Sequence, residues 1–282
     1  MAIPPRNVAT PKPPANQQSS NVVRFEKVLD SKYGHRAILY GTGGIGKSTL
    51  ACLAPGPVAF VDADESLEKL KPQLLEAGIP VPVKIPAKSW AELRSMTQSS
   101  GYDGIKTIVY DVWTPIQQWM EKHTLLTVKK DNNSVASSIE DYGYGKGYKY
   151  NFDTFSPLLG DMDAHIRAGR NIIILAHDDA VKVPNPGGMD FLRWEPAMQN
   201  TPAASIRKRM CGWADHVLYL AYDINVEKAS GDDKGRKAGR ATGVGFRTLY
   251  TAEMPHYLAK SRTTNKEYSI MHNESPWAEI IK

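Results

Sequence analysis

Residues 41–48 read GTGGIGKS and follow residues 37–40, a short apolar run of strand character. The octet fits the pattern G-x-x-x-x-G-K-[ST], in which glycines let successive backbone N–H groups converge on phosphate groups. In such a loop the lysine, here Lys47, neutralises phosphate charge, and the serine hydroxyl, here Ser48, holds Mg²⁺. Residues 49–53 suit a helix whose N-terminal dipole favours an anion. A glycine-rich turn that matches by chance is the alternative, but the flanking strand and helix patterns favour a phosphate loop. The predicted ATP-binding residues are Gly41, Thr42, Gly43, Gly44, Ile45, Gly46, Lys47, Ser48 and Thr49.

The composition is that of an ordinary globular protein. The chain has 282 residues, of which 41% are hydrophobic, so it can bury a full core, and one α/β domain with additions fits this length. It has neither an apolar run of about 18 residues nor an apolar leader, which predicts no membrane span and no secretory signal. Cys52 and Cys211 lie far apart and are expected to be packing residues in a reducing compartment. The formal net charge of +5 is compatible with a nucleic-acid partner.

The sequence divides into a short arm and one long domain. Residues 1–21 are rich in Pro, Asn and Ser and lack a periodic apolar pattern, which predicts a disordered arm. The ordered domain is expected to cover residues 22–282. Within it, residues 181–209 are rich in Pro, Asn and Gly, and residues 227–247 contain GDDKGRKAGRATGVG. Both are predicted to be long loops, which are usually functional or disordered.

Four further apolar runs have the character of buried strands. They lie at residues 58–61, 107–110, 172–176 and 217–221, and helical patterns separate most of them. This alternation predicts an α/β fold with a mainly parallel central sheet and helices on both faces. Because phosphate loops lie at the carboxyl ends of such strands, polar residues after the other strands are expected at the same edge.

Acidic residues follow two of these predicted strands. Asp111 ends the run IVYD, a Walker B pattern, and is expected to hold Mg²⁺ together with Ser48, although an Asp that caps a turn is the alternative. Val112 follows it, so a carboxylate that activates water must come from elsewhere. Asp64 and Glu65 are the candidates, on the expectation that their strand neighbours the phosphate-loop strand. The sequence does not choose between them, and either could instead cap the helix that begins near residue 66.

His177 directly follows the run at residues 172–176. At that edge of the sheet a polar side chain could contact the γ-phosphate and report hydrolysis to the following loop. A purely structural histidine is the alternative.

The order of these motifs resembles the RecA-like ATPase core, specifically the phage-encoded RecA-like ATPases that accompany single-strand annealing and recombination. The resemblance covers about residues 36–270. Its motifs are GTGGIGKST, PVAFVDADE, the SW at residues 89–90, YDGIKTIVYD, DYGYGKGY, NIIILAH and YLAKSR. In RecA-like proteins the position of Asp64 usually carries Glu, and the position of His177 carries Gln in RecA itself.

The resemblance implies a RecA-like P-loop NTPase fold with a C-terminal β-extension. It also implies DNA-stimulated ATP hydrolysis with Mg²⁺, a homo-oligomeric ring or filament, and single-stranded DNA as a partner. A single-strand-binding protein is a possible further partner, and no membrane association is expected. The expected location is the cytoplasm, that of the host cell if the protein is phage-encoded.

Two segments are expected to face DNA by this resemblance. The first lies around residues 143–150 and the second is the predicted loop at residues 181–209. The first interleaves tyrosines with lysines, which suits base stacking and phosphate neutralisation. The alternatives are tyrosines packed on the sheet at a helix start and solvated basic side chains. The predicted DNA-binding residues are Tyr144, Lys146, Tyr148, Lys149, Arg207, Lys208 and Arg209.

Lys260 and Arg262 follow the apolar residues 257–259. This K-x-R resembles the lysine and arginine finger that the neighbouring subunit supplies in hexameric helicases and related RecA-like rings. Such a finger stabilises charge on the transferring phosphoryl group. A surface strand that ends in two cations is the alternative.

Two other classes of function remain open. GGIGKST followed by VDAD is similar to the deviant-Walker partition ATPases, although Thr42 replaces their signature lysine. A P-loop phosphotransferase would instead use Asp62 or Asp64 near an acceptor hydroxyl.

Overall fold

The computed structural model describes residues 32–227, 240–271 and 274–282, with the backbone alone for residues 224–227 and 240–244. The predicted arm at residues 1–21 and part of the predicted loop at 227–247 therefore lie outside the described residues. The strands are β1 (Arg36–Tyr40), β2 (Val58–Asp62), β3 (Val83–Ile85), β4 (Thr107–Asp111), β5 (Asn171–Ala176), β6 (Asp178–Val183), β7 (Phe191–Pro196), β8 (Asn200–Thr201), β9 (Ala204–Ser205), β10 (His216–Glu227), β11 (Arg240–Tyr250) and β12 (Tyr268–Ile270). The helices are α1 (Lys47–Cys52), α2 (Leu67–Glu76), α3 (Trp90–Gln98), α4 (Trp113–Thr127), α5 (Lys146–Arg167), α6 (Ile206–Trp213) and α7 (Trp277–Ile280).

A central eight-stranded sheet organises the protein. Its strand order is β12-β11-β10-β1-β5-β4-β2-β3. The six strands from β10 to β3 run parallel, whereas β11 and β12 are antiparallel additions at one edge. The predicted fold class, a mainly parallel α/β sheet with a C-terminal β-extension, is confirmed. The five apolar runs that predicted strands correspond to β1, β2, β4, β5 and β10.

Apolar side chains cover both faces of this sheet. On one face α3, α4 and α5 contribute large buried residues, including Trp90, Trp113 and Phe155. On the other face α1 and α2 pack with α7, whose Trp277 donates from its ring nitrogen to the carbonyl oxygen of Leu50 at 2.7 Å. Burial of these side chains is the main favourable contribution to folding, and it fixes the strand that precedes the phosphate loop.

The position of β2 differs from expectation. This strand was predicted to neighbour β1, but β4 and β5 lie between them. The strand next to β1 is β5, where Tyr40 is the register partner of Ala176. Asp62 is instead the register partner of Asp111. The acidic turn after β2 therefore lies beside the Walker B strand.

The prediction of a long loop at residues 181–209 is wrong. Strands β6 and β7 form an antiparallel hairpin there, and β8, β9 and the start of α6 follow. The Pro, Asn and Gly residues that suggested a loop lie mainly in the hairpin turn at residues 184–188. Residues 240–247, also predicted to be loop, belong to β11. Among the described residues no helix is long and apolar enough to cross a membrane.

Candidate nucleotide-binding site

The phosphate loop joins β1 to α1, and two of its glycines are required by geometry. Gly46 has φ 98°, a left-handed conformation that L side chains rarely adopt, and it precedes the first residue of α1. A Cβ on Gly41 would lie 2.2 Å from the carbonyl oxygen of Leu220 in β10. The loop is therefore held close to its neighbouring strand, with the N-terminus of α1 at its end.

Lys47 is buried and faces the loop itself. Its Nζ donates to the carbonyl oxygens of Gly41 at 2.8 Å and Thr42 at 2.9 Å. Burial lowers the pKa of Lys47, and the nearby carboxylates of Asp111, Asp178 and Asp64 oppose that shift. An ammonium group held this way can exchange two carbonyl contacts for phosphate oxygens without a large movement of its stem.

Ser48 and Asp111 meet at the floor of the site. The carboxyl group of Asp111 accepts a hydrogen bond from the Ser48 hydroxyl. Burial raises the pKa of Asp111 to about 6, and the charges of Asp64 and Asp62 add to this rise. A cation that approaches such a buried carboxylate stabilises its charged form and lowers its pKa.

This pair fits a Mg²⁺ ion. Mg²⁺ prefers hard oxygen ligands, keeps several waters and is commonly bound by one or two protein oxygens together with substrate phosphates. Ser48 and Asp111 supply two such oxygens. Among the described residues no group of three or more His, Cys, Asp or Glu side chains could hold a metal ion. The two oxygens of Ser48 and Asp111 suit a Mg²⁺ ion whose other ligands are nucleotide phosphates and waters.

A cavity of about 360 Å³ lies over the loop, and only one of the two candidate water-activating acids lines it. Asp64 lines this cavity together with Lys47, Asp111 and His177. Glu65 does not line it; its backbone is left-handed, with φ 55°, and its charge acts on Lys84. Of the two carboxylates that the sequence left open, Asp64 is the one placed at the cavity.

Asp62, not Asp64 or Glu65, caps the following helix. Its Oδ1 accepts hydrogen bonds from the backbone N–H groups of Ser66 at 2.9 Å and Leu67 at 3.3 Å. Its Oδ2 lies 2.9 Å from Nζ of Lys84. These contacts occupy both oxygens of Asp62 and tie the turn after β2 to the sheet.

His177 lines the same cavity from the end of β5. Its Cε1 lies 3.9 Å from the position that a Cβ on Gly43 would occupy. Burial and the charge of Lys47 lower the pKa of His177, so the neutral imidazole is favoured near pH 7. A neutral ring can donate or accept a hydrogen bond according to its tautomer.

The segment around residues 143–150 is a turn that leads into α5. Tyr144 is fully exposed and lies between Gly143 and Gly145, all three with positive φ. Tyr148 donates from its hydroxyl to Glu140 at 2.6 Å, and Lys146 lies 2.5 Å from Asp131. Lys149 is exposed. The two tyrosines therefore differ: Tyr144 projects from the surface, whereas the hydroxyl of Tyr148 is held by the carboxylate of Glu140.

The three basic residues at 207–209 lie on α6, but one of them is buried and two are exposed. Arg207 is 3% exposed, and its Nε lies 2.9 Å from Glu195. A longer approach to Asp179, 3.7 Å, exceeds hydrogen-bond distance. Arg207 does not fit the predicted DNA contact, because its charge is buried and paired. Lys208 and Arg209 are exposed on the same helix.

Lys260 and Arg262 lie away from the phosphate loop of their own chain. Lys260 exchanges both backbone hydrogen bonds with Val217, near the start of β10, at 2.8 and 2.9 Å. Arg262 is largely exposed, and its Nε lies 3.2 Å from Asp215. The phosphate loop follows the opposite, carboxyl end of the neighbouring strand β1. Neither cation lines the cavity over the phosphate loop of its own chain.

Arg247 contacts the phosphate loop, and sequence reasoning missed it. Its guanidinium donates from Nη1 to the carbonyl oxygen of Ile45 at 2.9 Å. The residue belongs to β11, some 200 positions from the loop, and no spacing pattern connects the two. The antiparallel extension of the sheet brings this basic side chain to the site.

These features define an α/β P-loop protein of the nucleotide-binding class. The chain belongs to the AAA domain family, AAA_24, which matches residues 34–263 and so includes every site element from β1 to Arg262. Membership identifies a P-loop ATPase domain, a class that binds nucleotide and typically requires Mg²⁺. Among solved structures, the KaiC-like protein PH0186 from the hyperthermophilic archaeon Pyrococcus horikoshii OT3 is 15% identical, with a TM-score of 0.40, over 84% of this chain and 85% of that chain. No curated protein sequence matches the chain.

Proposed function

We propose that the protein is a Mg²⁺-dependent, RecA-like ATPase that acts on single-stranded DNA in phage recombination or annealing. The observation that carries the ATPase proposal is the shared cavity, where the phosphate loop faces Asp64, Asp111 and His177. These side chains lie at or just after the carboxyl ends of three different strands, β2, β4 and β5, and one cavity beside the loop brings them together. The DNA and phage parts of the proposal rest on the resemblance of the motifs and on the surface described below.

Each side chain in the cavity has a role that its position supports. Lys47 neutralises phosphate charge, and Ser48 and Asp111 hold Mg²⁺, which supplies electrostatic stabilisation of the transferring phosphoryl group. Asp64 orients the attacking water and accepts its proton. His177 contacts the γ-phosphate with a neutral ring.

The proposed DNA surface combines α5 and α6. Gln199 joins them, because its Nε2 donates to the carbonyl oxygens of Tyr148 at 3.0 Å and Ala204 at 2.9 Å. The backbone N–H of Arg207 donates in turn to the carbonyl oxygen of Gln199 at 3.1 Å. The exposed residues on these connected elements suit stacking and phosphate contacts. Those proposed to contact DNA are Tyr144 in the turn before α5, Lys149 on α5, and Lys208 and Arg209 on α6.

The hairpin β6–β7 adds an aromatic residue that sequence reasoning did not select. Trp194 is 41% exposed, and its register partner Ala180 leaves space on that face of the hairpin. Aromatic side chains on such a ribbon can stack on bases of any sequence. The hairpin follows β5 directly, so it is connected to the end of the strand that carries His177.

A homo-oligomer is part of the proposal. Lys260 and Arg262 lie level with the start of β10, away from their own nucleotide cavity, which is the arrangement that a finger acting on a neighbouring subunit requires. For the alternative phosphotransferase reading, Asp62 is an unsuitable base, because both of its oxygens are already engaged.

Fluorescence anisotropy with a labelled oligo-dT tests the DNA part. We expect Mg²⁺-ATP to tighten binding, and added salt to weaken it steeply because phosphate contacts release counterions. Tyr144→Ala should weaken binding about fivefold or more through loss of stacking. Tyr33→Phe, which keeps an exposed ring on another part of the surface, is the control. Absence of binding at low salt, with and without ATP, would contradict the proposal.

A further inference from the structure

A second cavity adjoins the phosphate loop on the side of the antiparallel extension. It has a volume of about 510 Å³ and is bounded by the loop, by α2 and by strands β10, β11 and β12. We call it the aromatic groove; its apolar side chains are Tyr222, Phe246, Ile270 and Met271. Gly44, Thr49 and Gln73 line both this groove and the phosphate cavity. The two volumes therefore meet at the loop and at the start of α1.

Strand register brings Tyr222, Arg247 and Ile270, which all line the groove, into one row. Tyr222 on β10 is the partner of Arg247 on β11, and Arg247 is the partner of Ile270 on β12. Directly opposite partners project from the same face of a sheet. The row therefore forms a continuous wall of the groove, with a cation at its centre.

An irregularity in the sheet lies beside this row. The β10–β11 register shifts between Tyr222 and Ile224, and Gly245 has φ 75°. Such bulges redirect side chains and are common beside binding sites. Here the bulge places Phe246 at the groove next to Arg247.

The groove presents apolar surface to solvent. Tyr222 is 43% exposed, Phe246 is 49% exposed and Met271 is 52% exposed. Covering large aromatic side chains with another flat, apolar surface is energetically favourable. The adjoining volume lies within the range of ordinary small-molecule sites.

Arg247 marks the junction of the two cavities. Its Nη1 donates to the carbonyl oxygen of Ile45 and lies 2.3 Å from the position that a Cβ on Gly46 would occupy. The guanidinium therefore lies against the backbone that binds phosphate, while its strand supplies the groove wall. A molecule that extends from the loop into the groove must pass this cation.

We infer that the aromatic groove binds the nucleoside part of the nucleotide whose phosphates the loop holds, with Tyr222 and Phe246 against the base and Arg247 beside the ribose and the first phosphate. This inference rests on the ATP-binding part of the proposed function. Because the groove adjoins the phosphate loop, its occupant is the remainder of the molecule whose phosphates the loop holds. In this arrangement affinity for ATP depends on both cavities, whereas affinity for a bare polyphosphate depends on the loop alone.

Calorimetric titration with ATP and with inorganic tripolyphosphate, both with Mg²⁺, tests the inference. Tyr222→Ala and Phe246→Ala should each weaken ATP binding about fivefold or more and change tripolyphosphate binding less than twofold. Tyr222→Phe, which keeps the ring, should retain ATP affinity. Leu126→Ala removes an exposed apolar side chain from α4 and serves as the control.

The results distinguish this inference from the proposed function. Unchanged ATP affinity in both alanine variants overturns the groove assignment, and so does an equal loss for ATP and tripolyphosphate. Selective loss of ATP affinity supports the assignment, even if single-stranded DNA fails to stimulate hydrolysis and the DNA proposal falls. A wild-type protein that binds neither ligand overturns the ATP-binding premise of both.

Discussion

The carbonyl oxygen of His177 accepts a hydrogen bond from the backbone N–H of Ala197 at 2.8 Å. Two residues further along, Gln199 contacts the carbonyl oxygens of Tyr148 and Ala204. Hydrogen bonds at Ala197 and Gln199, joined by the short stretch of chain between these two residues, therefore connect the nucleotide cavity to the elements proposed to bind DNA. Such a path can couple the nucleotide site to the DNA surface only if its residues have two arrangements and both nucleotide and DNA favour one of them. A functional test is therefore required.

His177→Ala should uncouple the two sites. The imidazole is proposed to contact the γ-phosphate, so its removal should keep basal ATP hydrolysis within about threefold while reducing stimulation by single-stranded DNA about tenfold. Steady-state ATPase assays with and without DNA measure both quantities. His123→Ala, a half-buried histidine on α4, is the matched control. Equal stimulation in His177→Ala and wild type would assign His177 a structural role.

Asp64→Asn and Glu65→Gln distinguish the two acids after β2. Asp64 lines the cavity and Glu65 does not, so Asp64→Asn should lower kcat about 100-fold while nucleotide affinity changes little. Glu65→Gln should stay within about twofold of wild type. Rapid-quench hydrolysis and nucleotide titration provide the two readouts. The reverse ranking would assign the water-orienting role to Glu65.

The pKa of Asp111 predicts how the stability of the nucleotide-free protein depends on pH. The folded-state pKa of about 6 lies above the ordinary value of 3.8, so the folded state binds the proton more tightly than the unfolded state. The contribution of Asp111 to the free energy of unfolding is therefore largest below pH 4 and is lost as the pH rises through 6.

Asp111→Asn should remove this penalty. Its free energy of unfolding should exceed that of the wild type by about 3 kcal/mol at pH 8, and the difference should nearly vanish near pH 4. Urea unfolding without nucleotide or Mg²⁺ measures this. The same variant should lose Mg²⁺-dependent ATP binding. A stability difference that is independent of pH would show that the Asp111 carboxyl does not titrate in this way.

The sequence predicted the parallel core well, because buried strands and the phosphate loop are encoded locally. The runs that became β1, β2, β4, β5 and β10 each carry their own apolar signal. Strand order is not local, which is why β2 was expected beside β1. The same limit applies to Arg247, whose contact with Ile45 depends on the pairing of β11 with β10.

The site predictions differ in outcome for a similar reason. A charge run does not state which side chain of a helix faces inward, so Arg207 was grouped with Lys208 and Arg209, although it pairs with Glu195. The β6–β7 hairpin was not predicted from the sequence because its turn residues dominate the composition of the segment. Its strand residues, FLRWEP, carry the weaker signal.

Mixing two inactive variants tests whether Arg262 acts on a neighbouring subunit. Lys47→Ala should abolish nucleotide binding but keep the finger, and Arg262→Ala should keep the nucleotide site and lower hydrolysis about 100-fold or more. If the finger acts in trans, mixed oligomers should recover part of the wild-type rate. A purely structural role in holding Asp215 predicts no recovery at any mixing ratio.

The central claim is that ATP hydrolysis at the phosphate loop is coupled to single-stranded DNA. The most direct measurement is the initial rate of ATP hydrolysis at low salt, with Mg²⁺, across a range of protein and oligo-dT concentrations. We predict that the rate per subunit rises with protein concentration and rises further, by about tenfold or more, with DNA. A rate per subunit that neither protein concentration nor DNA changes, or no hydrolysis at any concentration, would contradict the account.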